Sequence, residues 1–476
     1  MTPPPDQTPL CIDCDGTLLS TDLLHESVIS LLKSAPWLAL QLPFWLVRGR
    51  AYLKARLADH VSIDASTLPY NEEVVSLARQ ARAEGRTVVL ATASHGRLAQ
   101  AVAEHLGIFD EVLATQGDSN LKGRAKAAAL IERYGQRGFD YAGDSRSDLP
   151  VWQSARKAVV VSANQTLVAK AGRLTKVERV ITPQRATIGT YLRAMRLHQW
   201  LKNLLVFVPL FAAHRFQPGA ELAQAVLAFF SYGLCASAVY LLNDLFDLDA
   251  DRRHVRKRKR PFASGLIPVW HGAVLVPLLL SGAIGLALLL PWMFAAVLAG
   301  YFACTLAYSL LLKRQVIVDV LMLAGLYTLR VIAGGAATLI APSFWLLAFS
   351  MFLFLSLAMV KRYSEMLDVL HQHQQQAAAG RGYLVQDLPV LMSLGTGSGL
   401  VAVLVFALYI NNPETRSIHA QPLWLWLVPP LLLYWVSRVW MKAHRGEVDD
   451  DPVVFAVRDW QSLVIVSMAA LFFALA

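Results

Sequence analysis

From about Leu201 to the C-terminus the chain is a succession of apolar runs separated by short charged loops, a pattern that leaves few folds open. In a bilayer every backbone polar group must be satisfied internally, which restricts a spanning segment to a helix or a closed barrel. A spanning helix needs about 20 mostly apolar residues. Nine stretches qualify, at roughly 198–213, 222–242, 271–290, 293–312, 316–338, 343–360, 388–411, 422–440 and 453–475. The first is the weakest, being short and carrying His198 and Lys202 at its start. Residues 1–200, in contrast, have the scattered charges of a soluble domain, so the low overall charge of 16% and the mean hydropathy of +0.43 average over two unlike halves.

The loops set an orientation. Those after the second, fourth, sixth and eighth stretches hold Arg252, Arg253, Arg256, Lys257, Arg258, Lys259 and Arg260; Lys313 and Arg314; Lys361, Arg362 and Arg381; and Arg438, Lys442 and Arg445. The remaining loops hold only Arg215 and Arg416. Basic residues collect on the cytoplasmic side, so the expected topology is an odd number of spans with the N-terminus inside. Trp270, Trp292, Trp345, Trp424 and Trp440 lie near span ends, where their rings favour the interface. The segment Met1–Thr8 is polar and proline-rich, without the basic and apolar regions of a signal peptide, so the N-terminal domain is expected to stay in the cytoplasm. The protein is therefore expected in the inner or plasma membrane. The net charge of +10 is explained by those loops and does not imply nucleic acid, which would need a basic face on a soluble fold. Cys11 and Cys14 lack a second ligand pair, so zinc is not expected.

In the soluble half, the apolar stretch Leu10–Ile12 runs into Asp13-Cys14-Asp15-Gly16-Thr17. A strand ending this way places two carboxylates at the carboxyl edge of a sheet, where α/β folds bind ligands. One can attack phosphorus and the other, two residues on, can protonate the leaving oxygen and later activate water. Thr87–Leu90 predicts a second strand leading to Thr92 and Ser94, whose hydroxyls can hold phosphate. Lys126 opens an amphipathic helix, and Asp144 and Asp148 stand four residues apart, suited to Mg²⁺.

These residues in this order resemble the haloacid dehalogenase (HAD) phosphatase superfamily over about residues 8–165. The resemblance implies an α/β (Rossmannoid) fold with Asp13 as nucleophile and Asp15 as acid/base, Thr92 and Ser94 on the phosphate, and Lys126 balancing charge, with Lys122 as a competing choice. It also implies Mg²⁺ held by Asp13, Asp15, Asp144 and Asp148. The insert between Asp15 and Thr87 looks like a helical cap, at about 20–80. Its stretch Trp37–Val47 is unusually apolar and is expected to lean on the membrane or on the second domain.

At the end of the second apolar stretch comes Asn243-Asp244-Leu245-Phe246-Asp247-Leu248-Asp249-Ala250-Asp251-Arg252. On a helix Asn243, Asp247 and Asp251 form one stripe flanked by Asp244. Carboxylates so arranged repel one another unless a cation sits among them, and an all-oxygen donor set suits Mg²⁺ bound with a diphosphate. Arg252, Arg253, Lys257 and Arg260 follow and can grip phosphate oxygens.

This pattern, with the spans, resembles the UbiA-type intramembrane prenyltransferase superfamily over about residues 185–476. The resemblance implies that Asn243, Asp244, Asp247 and Asp251 hold Mg²⁺ and a diphosphate in an all-α membrane domain. Prenyl diphosphate users carry a second aspartate motif; the equivalent region here has Tyr308–Lys313, a lone Asp319, and Arg330 within a span, where charge is costly. With Lys361, Arg362 and Glu365 these phrases resemble the decaprenyl-phosphate phosphoribosyltransferase branch. That branch implies 5-phosphoribosyl pyrophosphate (PRPP) as donor and a polyprenyl phosphate as acceptor, with Tyr308, Lys313, Asp319, Arg330, Lys361 and Arg362 as candidates to position phosphates. The expected organisation is a tail at 1–8, a phosphatase-like domain at 9–180 and a nine-span transferase domain at 181–476. Two alternatives stay open: prenyl transfer to an aromatic acceptor, and a membrane anchor for the phosphatase domain. Lipid length and homo-oligomerisation are also open.

Overall fold

A computed structural model of the chain describes residues 7–115, 120–215, 217–371, 382–413, 421–448 and 452–476. Arg381, Arg416 and most of the N-terminal tail lie outside the described residues. The chain divides into two compact units, Met1–Met195 with Tyr240–Val276, and Arg196–Val239 with Pro277–Ala476.

The first unit is built on a parallel sheet. Its strands are β1 (Leu10–Ile12), β2 (Val88–His95), β3 (Glu111–Thr115), β4 (Asp140–Gly143), β5 (Lys157–Val161) and β6 (Lys176–Ile181), in the order β3-β2-β1-β4-β5-β6. Successive side chains of a strand point to opposite faces. Leu10, Ile12, Val88 and Leu90 accordingly pack on one face with Leu98 and Val102, while Cys11, Val89 and Ala91 pack on the other with Leu130, Tyr141 and Trp152. Both faces are covered, as parallel sheets require. The chain leaves β1 towards β2 and β3 on one side and returns to β4, β5 and β6 on the other. The carboxyl end of β1 is thus a topological switch point, where such sheets bind ligands.

Between β1 and β2 lies a helical cap. Helix Leu23–Ser34 is capped by the Asp22 carboxylate and followed by a 3-10 turn at Pro36–Gln41 and helices Leu42–Val47 and Arg50–His60. Leu31, Trp45, Leu53, Leu57 and Val61 form its small core.

The aspartate-rich stretch belongs to the same unit. Arg252 donates to both carboxylate oxygens of Glu26, at 2.6 and 3.2 Å, and to the Ala263 carbonyl at 3.0 Å. The two side chains are 4% and 6% exposed. Thr21 donates to the same glutamate at 2.7 Å. Nearby, Gly265 adopts φ +74° against Ser20 and Pro69, where a Cβ would come within 2.8 Å of the Ser20 side chain. The turn after Asp15 is thereby fastened to the basic end of the aspartate-rich segment.

The second unit is helical. Over the whole chain seven described helices are long and apolar enough to cross a membrane: Ala220–Phe246 and Val269–Ala287, each divided between the units, and Trp292–Leu310, Val318–Thr338, Phe344–His371, Val385–Asn411 and Pro422–His444. Small residues let neighbours approach closely, as membrane helices favour. Ser356 donates to the Gly395 carbonyl at 2.7 Å and accepts from the Trp440 indole at 3.0 Å. A Cβ on Gly395 would strike that indole ring.

Two of the nine expected spans fall short of this standard. The first is wound as a 3-10 segment, Leu197–Phe207, followed by the five-residue helix Val208–Ala212. The last is divided into Pro452–Arg458 and Trp460–Leu475, because the Asp459 carboxylate caps the second helix through Ser462 N–H at 2.9 Å and is itself held by Arg438.

Removing one partner of a buried ion pair leaves the other uncompensated and costs roughly 3–5 kcal/mol, whereas replacing both by apolar groups is nearly neutral. Glu26→Ala in the full-length protein is therefore expected to accelerate amide exchange across Leu23–Ser34, and Glu26→Met combined with Arg252→Leu to restore protection. Hydrogen exchange with mass spectrometry checks both.

Candidate active sites

Asp13 takes the position immediately after β1. Its Oδ1 accepts from the Cys14 N–H at 2.8 Å and from the Lys126 ammonium at 2.9 Å. Lys126 lies on helix Arg124–Tyr134, is 2% exposed, and also stands 3.8 Å from Asp148. It donates to the Tyr141 hydroxyl at 2.9 Å, which in turn donates to Asp148 at 3.0 Å. Of the two candidate lysines it is Lys126 that meets the nucleophile position. Asp148 Oδ2 accepts from the Ser145 N–H and hydroxyl, both at 3.0 Å, and Asp144 accepts from Thr17 at 3.3 Å. Gly16, at φ +77°, passes so close to Asp144 that a Cβ would collide with its carboxylate.

Asp13, Asp144 and Asp148 each offer an oxygen within 4.8 Å of the others. Three carboxylates against one ammonium leave two negative charges in a buried cleft, which fits a hard divalent cation such as Mg²⁺. The Asp15 carboxylate is not brought into this group, contrary to the metal-ligand expectation. It turns towards the cap instead, accepting from Leu23 N–H at 2.8 Å and from the Ser94 hydroxyl at 2.6 Å. Thr92 is fully buried and accepts from Ser94 N–H at 3.0 Å.

Burial pushes the Asp13 carboxyl up to about 6 despite the pull of Lys126, with Asp148 adding to the rise. Burial, followed by the charge of Asp22, pushes Asp15 up to about 7. Burial also drives Asp144 well upward, with Asp13 and Asp148 reinforcing it. Burial alone would discharge Lys126, but Asp13 and Asp148 outweigh it and hold its pKa above the usual value. The composition of the motif does not reveal Lys54 of the cap. Its ammonium lies 2.5 Å from the Ala93 carbonyl and 3.3 Å from Asn120 Oδ1, within the field of Asp15 and Asp22.

The aspartate-rich stretch is two helices rather than one. Helix Ala220–Phe246 ends before Asp247, and Leu248–Arg253 begins after it. Helical hydrogen bonds bridge the break, from Asp247 N–H to the Asn243 carbonyl at 2.9 Å and from Asp251 N–H to Asp247 at 2.8 Å. Asp244 and Asp251 are buried and joined by Arg260, whose guanidinium donates to them at 3.1 and 2.6 Å. Burial raises the Asp251 carboxyl although Arg260 opposes it. Among the described residues these aspartates do not reach the mutual spacing of the first cluster, and Arg260 pairs with two of them. Their all-oxygen chemistry nonetheless fits Mg²⁺. Arg253 pairs with Asp64 of the cap at 2.6 Å, and Lys257 stands exposed in a 3-10 turn.

In the second unit Tyr308, Asp319 and Arg362 come together. Asp319 is fully buried, bonded to Arg362 and to the Tyr383 hydroxyl at 2.6 Å. Arg362 also donates to Tyr308 at 2.8 Å and to Glu365 at 2.5 Å. Arg330 occupies a different cage. It donates to Asn203 at 3.0 Å and Tyr301 at 3.3 Å, with its guanidinium 5.2 Å from the Tyr232 ring and 5.6 Å from that of Tyr327. The partners Asn203, Tyr232, Tyr301, Tyr327 and Tyr383 carry no sequence signal of their own, because isolated tyrosines and asparagines in apolar runs are common. Lys313 follows Trp292–Leu310, and Lys361 lies within Phe344–His371.

These two constellations define a class: an acidic site on a doubly covered parallel sheet, joined to a polytopic membrane domain with an aspartate-rich segment at the end of a helix. A model of the UbiA prenyltransferase family matches residues 204–468, and one of haloacid dehalogenase-like hydrolases matches residues 10–153. The chain belongs to the UbiA prenyltransferase family and carries a HAD-like N-terminal domain. It is 37% identical to the uncharacterized protein y4nM of Sinorhizobium fredii over 98% of this chain and 91% of that one. It is 36% identical to the decaprenyl-phosphate phosphoribosyltransferase of Mycobacterium tuberculosis over 50% of this chain and 80% of that one. The structure of a UbiA homologue from Archaeoglobus fulgidus bound to GPP and Mg²⁺ aligns with a TM-score of 0.47 at 17% identity, covering 60% of this chain and 99% of that one.

A carboxyl whose folded pKa is raised contributes stability that is full below its unfolded value, about 4, and lost as pH rises through the folded value. With Asp13 at about 6 and Asp15 at about 7, metal-free protein is expected to lose protection in the N-terminal sheet as pH rises between those limits. Asp13→Asn should shrink the loss and Mg²⁺ should reverse it. Hydrogen exchange of β1 amides at several pH values, with and without Mg²⁺, measures this.

Proposed function

We propose that the membrane domain transfers 5-phosphoribose from PRPP to a polyprenyl phosphate and that the N-terminal domain then removes the 5-phosphate. The observation that carries the donor assignment is Asp319. This lone acid, in the region of a second diphosphate motif, is fully buried and spent on Arg362 and Tyr383. One aspartate-rich segment is thus left to meet a diphosphate, and likeness to the Mycobacterium tuberculosis phosphoribosyltransferase supports the same choice. The assigned regions are 9–180, with a cap at about 20–80, for the phosphatase and 181–476 for the transferase. We also place nine crossings and both sites on the cytoplasmic side, on the alternation of basic loops.

In the transferase, Asp244, Asp247 and Asp251, with Asn243 beside them, would hold Mg²⁺, which screens the departing pyrophosphate. Arg253, Lys257 and Arg260 grip its oxygens. The lipid phosphate oxygen attacks the anomeric carbon as the bond to pyrophosphate breaks. Arg330 in its tyrosine cage and Lys313, Lys361 and Arg362 position the remaining phosphates, with Tyr308 and Asp319 fixing Arg362.

In the phosphatase, Asp13 attacks phosphorus and an aspartyl-phosphate forms as the ribose oxygen leaves. Asp15, raised to about 7 and therefore substantially protonated at neutral pH, gives that oxygen its proton and later takes one from the attacking water. Thr92, Ser94 and Lys126 hold the phosphoryl oxygens, and Asp13, Asp144 and Asp148 would hold Mg²⁺, which neutralises their charge.

Protein in detergent, given Mg²⁺, polyprenyl phosphate and ribose-labelled PRPP, is expected to incorporate label into lipid, with Asp247→Ala lowering the rate at least about 100-fold. If lipid stays unlabelled while a prenyl diphosphate and an aromatic acceptor react, the donor assignment is wrong. Equal products from wild type and Asp247→Ala would make the membrane half an anchor.

A further inference from the structure

The cap carries an apolar surface that neither proposed reaction uses. Between Pro36 and Val47, Trp37 is 67% exposed, Leu40 78%, Phe44 72% and Val47 87%. Trp45 turns inward, in the cluster of Leu31 and Leu57 and stacked on His60 at 5.9 Å, and Leu38 and Leu42 pack against the same cluster. The outward set is therefore not a loosely folded core.

The sequence around this surface carries charge of one sign. From Ser27 to Ala58 there is no acidic residue, while Lys33, Arg48, Arg50, Lys54 and Arg56 are all basic. Lys33, Arg48 and Arg50 are exposed at its margins. Twelve residues are too few to cross a bilayer. A short apolar face with aromatic residues and a basic rim has the character of a segment lying in the headgroup region, held by apolar burial and by attraction to anionic lipid.

The preceding helix is located where this requires. Glu26, Ile29, Ser30 and Lys33 of Leu23–Ser34 line one crevice with Leu245, Phe246, Leu248 and Asp249. Those last residues sit at the end of the membrane-spanning helix Ala220–Phe246. The cap helix thus lies beside the C-terminal end of an apolar helix, and Pro36–Val47 follows it directly in the chain.

We propose that Pro36–Val47 is a monotopic membrane contact, seated in the headgroup region of a bilayer containing anionic phospholipid. The following helix, Arg50–His60, projects Lys54 into the field of Asp15, so the seated segment is two residues from an element that reaches the phosphatase site. The contact fixes that site beside the lipid surface whichever donor the transferase uses.

The test uses full-length protein, one copy per nanodisc of phosphatidylcholine and phosphatidylglycerol. A fluorophore is placed at Leu40→Cys, at Val47→Cys, or at Lys170→Cys on the helix that packs on β5 and β6. Cys304 is replaced by serine, since the other three cysteines are buried. Lipids brominated along the acyl chain are expected to quench the Leu40 and Val47 labels at least roughly twofold and the Lys170 label little, with Arg48→Glu/Arg50→Glu weakening the effect. Quenching at Leu40 and Val47 no greater than at Lys170 overturns the proposal. So does burial of these labels that appears only when two copies share a disc, which would make the surface a contact between chains. Phe44→Cys replaces any labelled variant that fails to accumulate. The readout does not involve turnover, so it stands or fails apart from the proposed reactions.

Discussion

A cation held among largely buried carboxylates is the arrangement on which both halves of this protein depend. Lys126 sits between Asp13 and Asp148, Arg260 between Asp244 and Asp251, and Arg362 between Asp319 and Glu365. A buried charge without a partner costs several kcal/mol. Each acidic cluster therefore exists only because the fold carries a lysine or arginine into it. The balance differs among the three. At Asp319 the acid is tied down by Arg362 and by the Tyr383 hydroxyl; at Asp13 three carboxylates share one ammonium, and the Asp13 and Asp144 carboxyls are driven upward. Three acids around one cation suit a magnesium-dependent phosphoryl site, whereas an acid held directly by an arginine and a tyrosine suits a support.

The same logic fastens the cap to the aspartate-rich segment. Glu26 accepts two bonds from Arg252, one residue beyond Asp251, and a third from Thr21, close to the Leu23 amide that holds Asp15. A short chain of hydrogen bonds and helix thus connects the residue proposed as phosphatase acid to the segment proposed to bind diphosphate. Arg252, first counted among the phosphate-gripping cations, is committed to this link.

The carboxylates proposed as catalytic in the soluble half were legible because a short apolar strand and Asp-x-Asp-Gly-Thr are local patterns. Choosing Lys126 over Lys122 was not local: Lys122 lies exposed before the helix, whereas Lys126 is on it, buried and in contact with Asp13. Glu26 gave no warning, since one acid on an amphipathic helix usually faces water and its partner lies 226 residues away. The break at Asp247 was hidden because the i, i+4 spacing survives it. Spans were counted by hydropathy, which detects neither the 3-10 winding of Leu197–Phe207 nor the cap at Asp459. The exposed apolar cap segment was visible as composition, but its outward face required the fold.

The account joins two sites in one sequence of reactions, and the most direct test follows the phosphate that both must handle. PRPP labelled at the 5-phosphate is given to the full-length protein with Mg²⁺ and polyprenyl phosphate in nanodiscs. The account predicts that label enters the lipid first and is then released as inorganic phosphate, with Asp13→Asn holding it in the lipid. Release of label without passage through lipid, or permanent retention in lipid by the wild-type protein, would contradict it.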